Sequence, residues 1–215
     1  TPQEVAEAMD NLYQMLQEYI QQNGVDDTIS LHKNEDTIYI RFDSSVFFEP
    51  DKSAMLAGGY ETLSFIGDGL KQYESMIKLI AVCGHTASVG DVPDYPVSDW
   101  DLSAARSAVV GKYLDEEKGI DSKKMLLLGY GKNLPIADNS NEEGRKKNRR
   151  VELAIIGIGS DISFDPYAGL SDLYSLSEGS DSSNEALPEQ QTPSVTDEQG
   201  EPSDIGIQKG VSPYD

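Results

Sequence analysis

Arg106 is the residue whose type and position best suit binding chemistry in this sequence. It lies in a segment that predicts a helix over 99–117, and the apolar stripe of that helix is Leu102, Ala105, Val109 and Tyr113. A guanidinium presents a planar fork of donors that matches both oxygens of a carboxylate. Arg106 is therefore a candidate for holding a carboxylate ligand. The structural alternative is an ion pair with Asp99 or Asp101 in the first turn of the same helix.

His85 and Thr86 follow Gly84 at the end of an apolar run over 76–83, which predicts a buried strand. Binding sites in α/β folds lie at the carboxyl ends of strands, which makes His85 a candidate site residue. A histidine here can also simply fix the loop through a hydrogen bond. The two histidines do not have the spacing of a metal site, and the sequence contains no phosphate-binding loop, nucleophile elbow or dinucleotide fingerprint. We therefore expect no cofactor and no catalytic activity.

The charge of the chain is unevenly distributed. Residues 145–150 place five cations in six positions, whereas the whole chain has a formal net charge of −21 and a sequence pI near 4.3. The conservative interpretation of the basic run is a solvated helix face that balances nearby carboxylates. The overall acidity argues against non-specific binding to nucleic acid and against adhesion to an anionic lipid surface.

Hydrophobic periodicity predicts a scaffold in which strands alternate with helices. Besides the strand at 76–83 and the helix at 99–117, the predicted elements are helices 3–22 and 51–73, strands 28–33, 37–42, 123–130 and 151–156, and a helical turn from Asn141. We expect an α/β fold in which helices cover the sheet. The sheet should be mixed because a hairpin turn joins the first two strands. Residues 44–48 should form a loop with exposed aromatic rings.

The two ends of the chain depart from this pattern. Helix 3–22 has an apolar stripe that either packs on the domain or serves as a linker and dimerisation helix. Residues 161–215 contain twelve acidic residues against one lysine, and we expect a disordered tail from residue 159.

Cys83 lies in an apolar strand and is expected to be a buried structural thiol. No apolar run approaches the roughly 20 residues that span a bilayer, so we expect a soluble protein or a piece of a longer one.

Four short motifs together resemble a known family. They are Gly84-His85-Thr86, Leu102-Ser103-x-x-Arg106, Gly129-Tyr130-Gly131 and Asn148-Arg149-Arg150-Val151-Glu152. Their order and spacing are similar to those of OmpA-like peptidoglycan-binding domains. The long insert before Asp99-Trp100-Asp101-Leu102-Ser103 most resembles the version in MotB-type flagellar stator proteins. The resemblance covers residues 37–157 and implies an OmpA-like βαβαβ sandwich with a mixed sheet.

The resemblance implies a binding site for the peptidoglycan stem peptide. In this family the arginine that corresponds to Arg106 holds the carboxylate of diaminopimelate. The segment that contains Asn148 borders the same pocket, with either Arg149 or Arg150 facing inward. The sequence departs from the family at Ala87, where an aspartate usually holds the ligand ammonium, and Asp99 replaces a usual asparagine. Asp99, or the loop residues Asp91 and Asp94, could supply the missing acceptor.

The resemblance also implies a biological role. We expect a stator fragment that grips peptidoglycan without covalent chemistry, with residues 1–24 as a linker or dimerisation helix, 25–158 as the wall-binding domain and 159–215 as the tail. The full-length protein would be anchored in the membrane with this domain on the extracytoplasmic side. It would act as a homodimer with a MotA-type partner. The alternatives are a cell-wall anchor unrelated to motility and an interaction module that has lost wall binding.

Overall fold

The computed structural model describes residues 1–90 and 97–160. The elements within those ranges are α1 (Pro2–Asn23), β1 (Ile29–Asn34), β2 (Thr37–Asp43), α2 (Ser44–Phe47), α3 (Ala57–Gln72), β3 (Ile77–Gly84), α4 (Asp99–Glu116), β4 (Met125–Gly129), α5 (Glu142–Asn148) and β5 (Arg150–Gly157). The predicted acidic tail from residue 161 onward and the middle of the turn before α4 lie outside the described residues. No helix in the described ranges has the length and apolar character that crossing a bilayer requires.

The strands form one five-stranded sheet in the order β1-β2-β5-β3-β4. Neighbouring strands are antiparallel except for β3 and β4, which are parallel. The expected mixed sheet with covering helices is therefore confirmed. The last strand, β5, lies in the centre between β2 and β3, so residues from distant parts of the sequence meet at one end of the sheet.

Alternating residues of the strands face two different environments. On one face, apolar residues of β2, β3 and β5 share the main core with α1, α3 and α4; examples are Ile40, Val82 and Leu153. On the other face, Tyr39, Ala81, Cys83 and Ala154 form a smaller cluster. This alternation decides which side each residue at the sheet end faces.

Helix α1 packs on the domain through its apolar stripe. Its buried residues are Val5, Ala8, Met9, Leu12, Leu16 and Ile20. The Thr1 hydroxyl accepts from the Glu4 backbone N–H in a capping box, and Gly24 closes the helix at φ 60°. The apolar stripe of α1 packs on the domain, the first of the two alternatives, because all of these residues except Ala8 belong to the main core.

Two predictions for residues 44–73 are wrong. The aromatic rings of Phe47 and Phe48 are buried instead of exposed, because Phe47 packs on Phe42 with ring centroids 4.5 Å apart and fills the end of the core. The helix predicted from residue 51 begins only at Ala57. A turn replaces its first part, since the Glu49 N–H donates to Ala54 O and the Leu56 N–H donates to Phe47 O.

The predicted helix over 99–117 is confirmed as α4, but its buried face differs from the predicted stripe. The buried residues are Ser103, Arg106, Ser107, Val110, Gly111 and Leu114. Small residues explain the difference, because they let the α4 backbone approach the sheet closely. A Cβ on Gly84 would lie 2.1 Å from Ser103 O, and one on Gly129 would lie 2.6 Å from Ala104 N. Backbone contacts near its start, together with Val110 and Leu114 in the main core, therefore hold this helix on the sheet.

Candidate ligand-binding site

A cavity of about 520 Å³ lies between one end of the sheet and α4. Strand ends, the turn before α3 and the first turns of α4 supply its walls; the lining residues that carry charge or a hydroxyl are Ser44, Ser45, Asp51, Thr86, Asp99, Arg106, Lys132 and Arg149. Ala87, Phe48 and Leu102 are among the apolar lining residues. The cavity has the size and mixed lining of a small-ligand site.

Three residues from adjacent strands form a row at the sheet end of this cavity. The pairs Asp43–Arg150 and Gly84–Val151 end the two antiparallel ladders on β5. Continuing each register, by one position for Ser44 and by two for Thr86, places both residues beside Arg149. The Ser44 N–H donates to Arg149 O at 3.0 Å, which continues the ladder. Alternation places these three residues on the helix side, and all three line the cavity.

The Arg106 guanidinium is held in the wall of the cavity. Its side chain is almost fully buried, with 4% of the residue exposed. Nε donates to Lys52 O at 3.0 Å, Nη2 donates to Glu49 O at 3.3 Å, and Cζ lies 5.1 Å from the centroid of the Phe48 ring. Both hydrogen bonds go to neutral carbonyls, not to Asp99 or Asp101, so among the described residues Arg106 has no ion-pair partner.

The electrostatics of the cavity favour an anionic group near Arg106. Burial lowers the pKa of Arg106, the nearby charge of Arg149 lowers it further, and Asp51 acts in the opposite direction. A buried cation without a paired carboxylate is electrostatically costly, and a ligand anion would offset that cost. Asp51 has φ 54°, a left-handed conformation that is uncommon outside glycine and asparagine. Its strained turn carries the backbone carbonyl acceptors of Arg106 on either side.

The remaining charged residues give the cavity both positive and negative groups. Lys132 Nζ lies 3.8 Å from an Asp99 carboxylate oxygen, and Arg149 donates to Glu142 on α5. The carboxylates of Asp51 and Asp99 both line the cavity, whereas position 87 contributes only the methyl group of Ala87. The cavity can therefore accept a ligand that carries a carboxylate and an ammonium.

His85 and Arg150 lie on the opposite face of the sheet. Arg150 Nε donates to Glu152 Oε1 at 2.9 Å, Arg41 Nε donates to the same oxygen at 2.8 Å, and His85 Nε2 lies 3.2 Å from Glu152 Oε2. The His85 ring also stacks on Tyr130. These residues form a buried charge network behind the cavity, not part of its lining.

The same network shifts two pKa values. Burial lowers the pKa of His85, assisted by Arg150 and Arg41 and opposed by Glu152. For Glu152 burial acts to raise the pKa, but Arg150, His85 and Arg41 hold it well below its ordinary value. The carboxylate is therefore ionised and the imidazole neutral at neutral pH. Neighbouring Cys83 is buried, and burial raises the pKa of its thiol, as expected for an unreactive cysteine.

Asn148 organises a loop next to the site. Its Oδ1 accepts from the backbone N–H groups of Ile136 and Ala137, at 2.7 and 2.9 Å, and its Nδ2 donates to Ala137 O and to Asn139 Oδ1. Asn148 is fully buried by these contacts. Of the seven residues nominated from the sequence, the structure brings Arg106, Asp99, Thr86 and Arg149 to the cavity. It places His85, Asn148 and Arg150 elsewhere, and the possible acceptors Asp91 and Asp94 lie outside the described residues.

Four polar lining residues are not among the sequence candidates: Ser44, Ser45, Asp51 and Lys132. Ser44 lies just after a predicted strand, and that position would identify it as a site residue once the strand order is known. The position of Asp51 depends on a turn that replaced a predicted helix. In the described ranges, no group of three or more histidine, cysteine, aspartate or glutamate side chains could hold a metal ion.

Comparisons with known proteins agree with this geometry. Residues 47–149 match the sequence model of the OmpA family. Outer membrane porin F of Pseudomonas aeruginosa is 34% identical over 117 residues, which are 54% of this chain and 31% of the porin. Motility protein B of Bacillus subtilis is 26% identical over 154 residues, 72% of this chain and 58% of the relative. Peptidoglycan-binding protein ArfA of Mycobacterium bovis is 31% identical over 112 residues, 51% of this chain and 32% of the relative.

The fold has solved relatives as well. The crystal structure of a MotB-like protein from Desulfovibrio vulgaris superposes with a TM-score of 0.62 and 27% identity, and the match covers 74% of this chain and 98% of that one. The chain spans about a third to three-fifths of the length of the curated relatives named above. Residues 47–149, which supply most of the cavity lining, match the OmpA family, and the chain has the fold found in a MotB-like protein.

Proposed function

We propose that the cavity binds the stem peptide of peptidoglycan and that this grip anchors a flagellar stator unit to the cell wall. The observation that carries the proposal is the buried Arg106 guanidinium, which lines a ligand-sized cavity and has no carboxylate partner among the described residues. A diaminopimelate carboxylate would supply that partner. The names of two relatives, ArfA and Motility protein B, support wall binding and motility respectively.

The ligand would bind by charge and hydrogen bonding alone. Arg106 is pre-positioned by the carbonyls of Glu49 and Lys52, so little side-chain entropy is lost when a carboxylate docks. Arg149 adds a second cation from the strand end, and Asp99 or Asp51 would receive the ligand ammonium in place of the aspartate that Ala87 replaces. No bond is made or broken, so the domain acts as a mechanical anchor instead of an enzyme.

Similarity to Motility protein B supports a wider assembly. In this proposal the full-length protein is anchored in the cell membrane, and this domain lies on its extracytoplasmic side. Two copies form a homodimer and work with a MotA-type membrane partner, through which ion flow drives a rotor. Residues 1–24 connect the domain to the membrane part.

Two alternative functions each have an observation in their favour. Porin F and ArfA match this chain without a motility name, which favours a cell-wall anchor outside the flagellar motor. Ala87 removes an expected carboxylate from the cavity, which favours an interaction module that has lost wall binding. An upstream membrane-spanning segment with an acidic residue in the parent gene would decide for the motor.

Co-sedimentation with purified peptidoglycan tests the proposal. The wild-type protein should pellet with sacculi, Arg106→Ala should remain in the supernatant, and Arg106→Lys should bind weakly because an ammonium lacks the bidentate fork. Arg145→Ala is a matched control, since Arg145 pairs with Glu142 on α5 and does not line the cavity.

Thermal unfolding of each variant separates loss of binding from loss of fold. Equal pelleting of the wild type and a folded Arg106→Ala variant would refute the assigned role of Arg106. A wild-type protein that stays in the supernatant would favour the interaction module.

A further inference from the structure

Two buried hydroxyl groups in the cavity wall have no hydrogen-bond partner within residues 1–90 and 97–160. Ser44 Oγ and Thr86 Oγ1 are covered from solvent, in residues that are 3% and 6% exposed, and neither makes a hydrogen bond to another described residue. Buried hydroxyl groups are normally satisfied, because leaving one unpaired costs free energy in the folded state. Each such group in a native fold therefore calls for an explanation, and ligand binding is one.

The local backbone does not explain them. The Ser44 N–H donates to Arg149 O at 3.0 Å, and the Thr86 N–H donates to Gly131 O at 2.9 Å, so both main chains are satisfied without their side chains. The neighbouring Ser45 hydroxyl donates to Asp43 Oδ1 at 2.8 Å and already has a structural role. Of the unpartnered buried side-chain atoms, those of Ser44 and Thr86 belong to residues that line this cavity, whereas Thr37 lies at the other end of β2.

The two hydroxyl groups lie close to the cationic side chains of the cavity. Ser44 and Thr86 stand on either side of Arg149 at the ends of three adjacent strands, and Arg106 faces the same cavity from α4. Strands lie about 4.8 Å apart, which puts the two residues about 10 Å from each other. One carboxylate cannot reach both. Two polar groups of an extended peptide, separated by about one to three residues, can do so.

We propose that Ser44 and Thr86 are ligand-binding residues that hydrogen-bond two separate backbone polar groups of the peptide whose carboxylate Arg106 binds. This inference rests on the proposed function and extends it from one charged group to the peptide around that group. Rotation about a single Cα–Cβ bond between staggered positions turns each hydroxyl toward the cavity its residue lines. The unpaired hydroxyls thus disfavour the empty fold and favour the peptide complex.

The test is a pair of measurements on the variants Ser44→Ala and Thr86→Val, which remove the hydroxyls and nearly keep the shapes. Isothermal titration with a soluble tripeptide that ends in diaminopimelate should show a five- to tenfold weaker affinity for each variant. Thermal unfolding of the same proteins should show a melting temperature equal to or above that of the wild type, because an unsatisfied polar group has been removed.

Thr37→Val is the matched control. It removes another buried hydroxyl without a partner, at the end of β2 away from the cavity, so it should leave the melting temperature level or raised and leave the peptide affinity unchanged.

A wild-type protein that binds the tripeptide, together with Ser44→Ala and Thr86→Val variants that bind it equally well, would overturn the inference and leave the proposed function standing. Melting temperatures several degrees lower in both variants would overturn it too, since the hydroxyls would then be structural. A wild-type protein that does not bind the tripeptide, while Arg106→Ala also makes no difference to sacculus binding, would remove the proposed function and the inference together.

Discussion

Replacing Gly84 by alanine should damage both the fold and the site, because this glycine is where β3 touches α4. The new Cβ would lie 2.1 Å from Ser103 O, a backbone atom, whereas ordinary van der Waals contact begins near 3.4 Å. Strand and helix must therefore separate by about 1.3 Å. The strand and the helix cannot separate at this point alone, because Gly129 on the next strand makes a similar contact with the α4 backbone at Ala104.

The expected cost can be estimated from this overlap. Overpacking of a closed interface costs about 1–3 kcal/mol. For a domain of roughly 150 residues each kcal/mol lowers the melting temperature by about 2–4 °C, so Gly84→Ala should melt about 2–12 °C below the wild type. Arg106 lies one turn beyond Ser103, and its displacement from the carbonyls of Glu49 and Lys52 should weaken peptide binding as well.

The assay compares melting temperature and tripeptide affinity for Gly84→Ala and for Gly58→Ala. Gly58 lies in α3, and a Cβ there meets nothing within 4 Å, so alanine should stabilise the helix by about 0.5–1 kcal/mol and leave binding unaffected. The reasoning is refuted if Gly84→Ala melts within a degree of the wild type and binds the tripeptide with unchanged affinity.

Three further predictions concern the missing carboxylate, acidity and the tail. Ala87→Asp should raise the affinity for diaminopimelate about ten- to a hundredfold, since a charge-assisted hydrogen bond contributes about 1.5–3 kcal/mol; an unchanged titration would mean that Asp51 or Asp99 already serves. Acid should destabilise the fold in two steps. The lowered pKa of His85 means that the unfolded chain takes up its proton first as pH falls through 6.5, and the lowered pKa of Glu152 adds a second loss below 4.5. A melting temperature that stays level from pH 8 to pH 4 would contradict both assignments. Deleting residues 161–215 should leave the melting temperature nearly unchanged, and a drop of several degrees would disprove the predicted disorder.

Periodicity was enough to predict the strands and the main helices, but not which face of α4 is buried. The predicted stripe through Leu102 and Val109 assumes that a helix is seated by apolar side chains. Here Gly84 and Gly129 let the first turns of the helix rest against the strands, so small and polar residues such as Ser103 are buried along with Val110. Contacts between backbones leave no periodic apolar signal, so one sequence alone could not reveal them.

The sequence predicts only part of the site, and the reason is related. Arg106 and Thr86 could be nominated because their motifs resemble a family, but the choice between Arg149 and Arg150 depends on strand register. Ser44 escaped notice because nothing in the sequence says that β2 and β3 both flank β5. Once that order is known, one step of alternation assigns Arg149 to the cavity and Arg150 to the charge network behind it.

The placement of the cavity relative to the first helix has a mechanical consequence. Val5 of α1 lies near Gly157, at the end of β5 that is opposite to the cavity. A pull between a bound ligand and the first residues therefore runs parallel to the strands and to α1. The buried residues of α1, which are spaced along the helix from Val5 to Ile20, then share the load in shear against the main core, all at once, instead of separating one after another like a zipper. An anchor built this way resists tension best along the direction of α1.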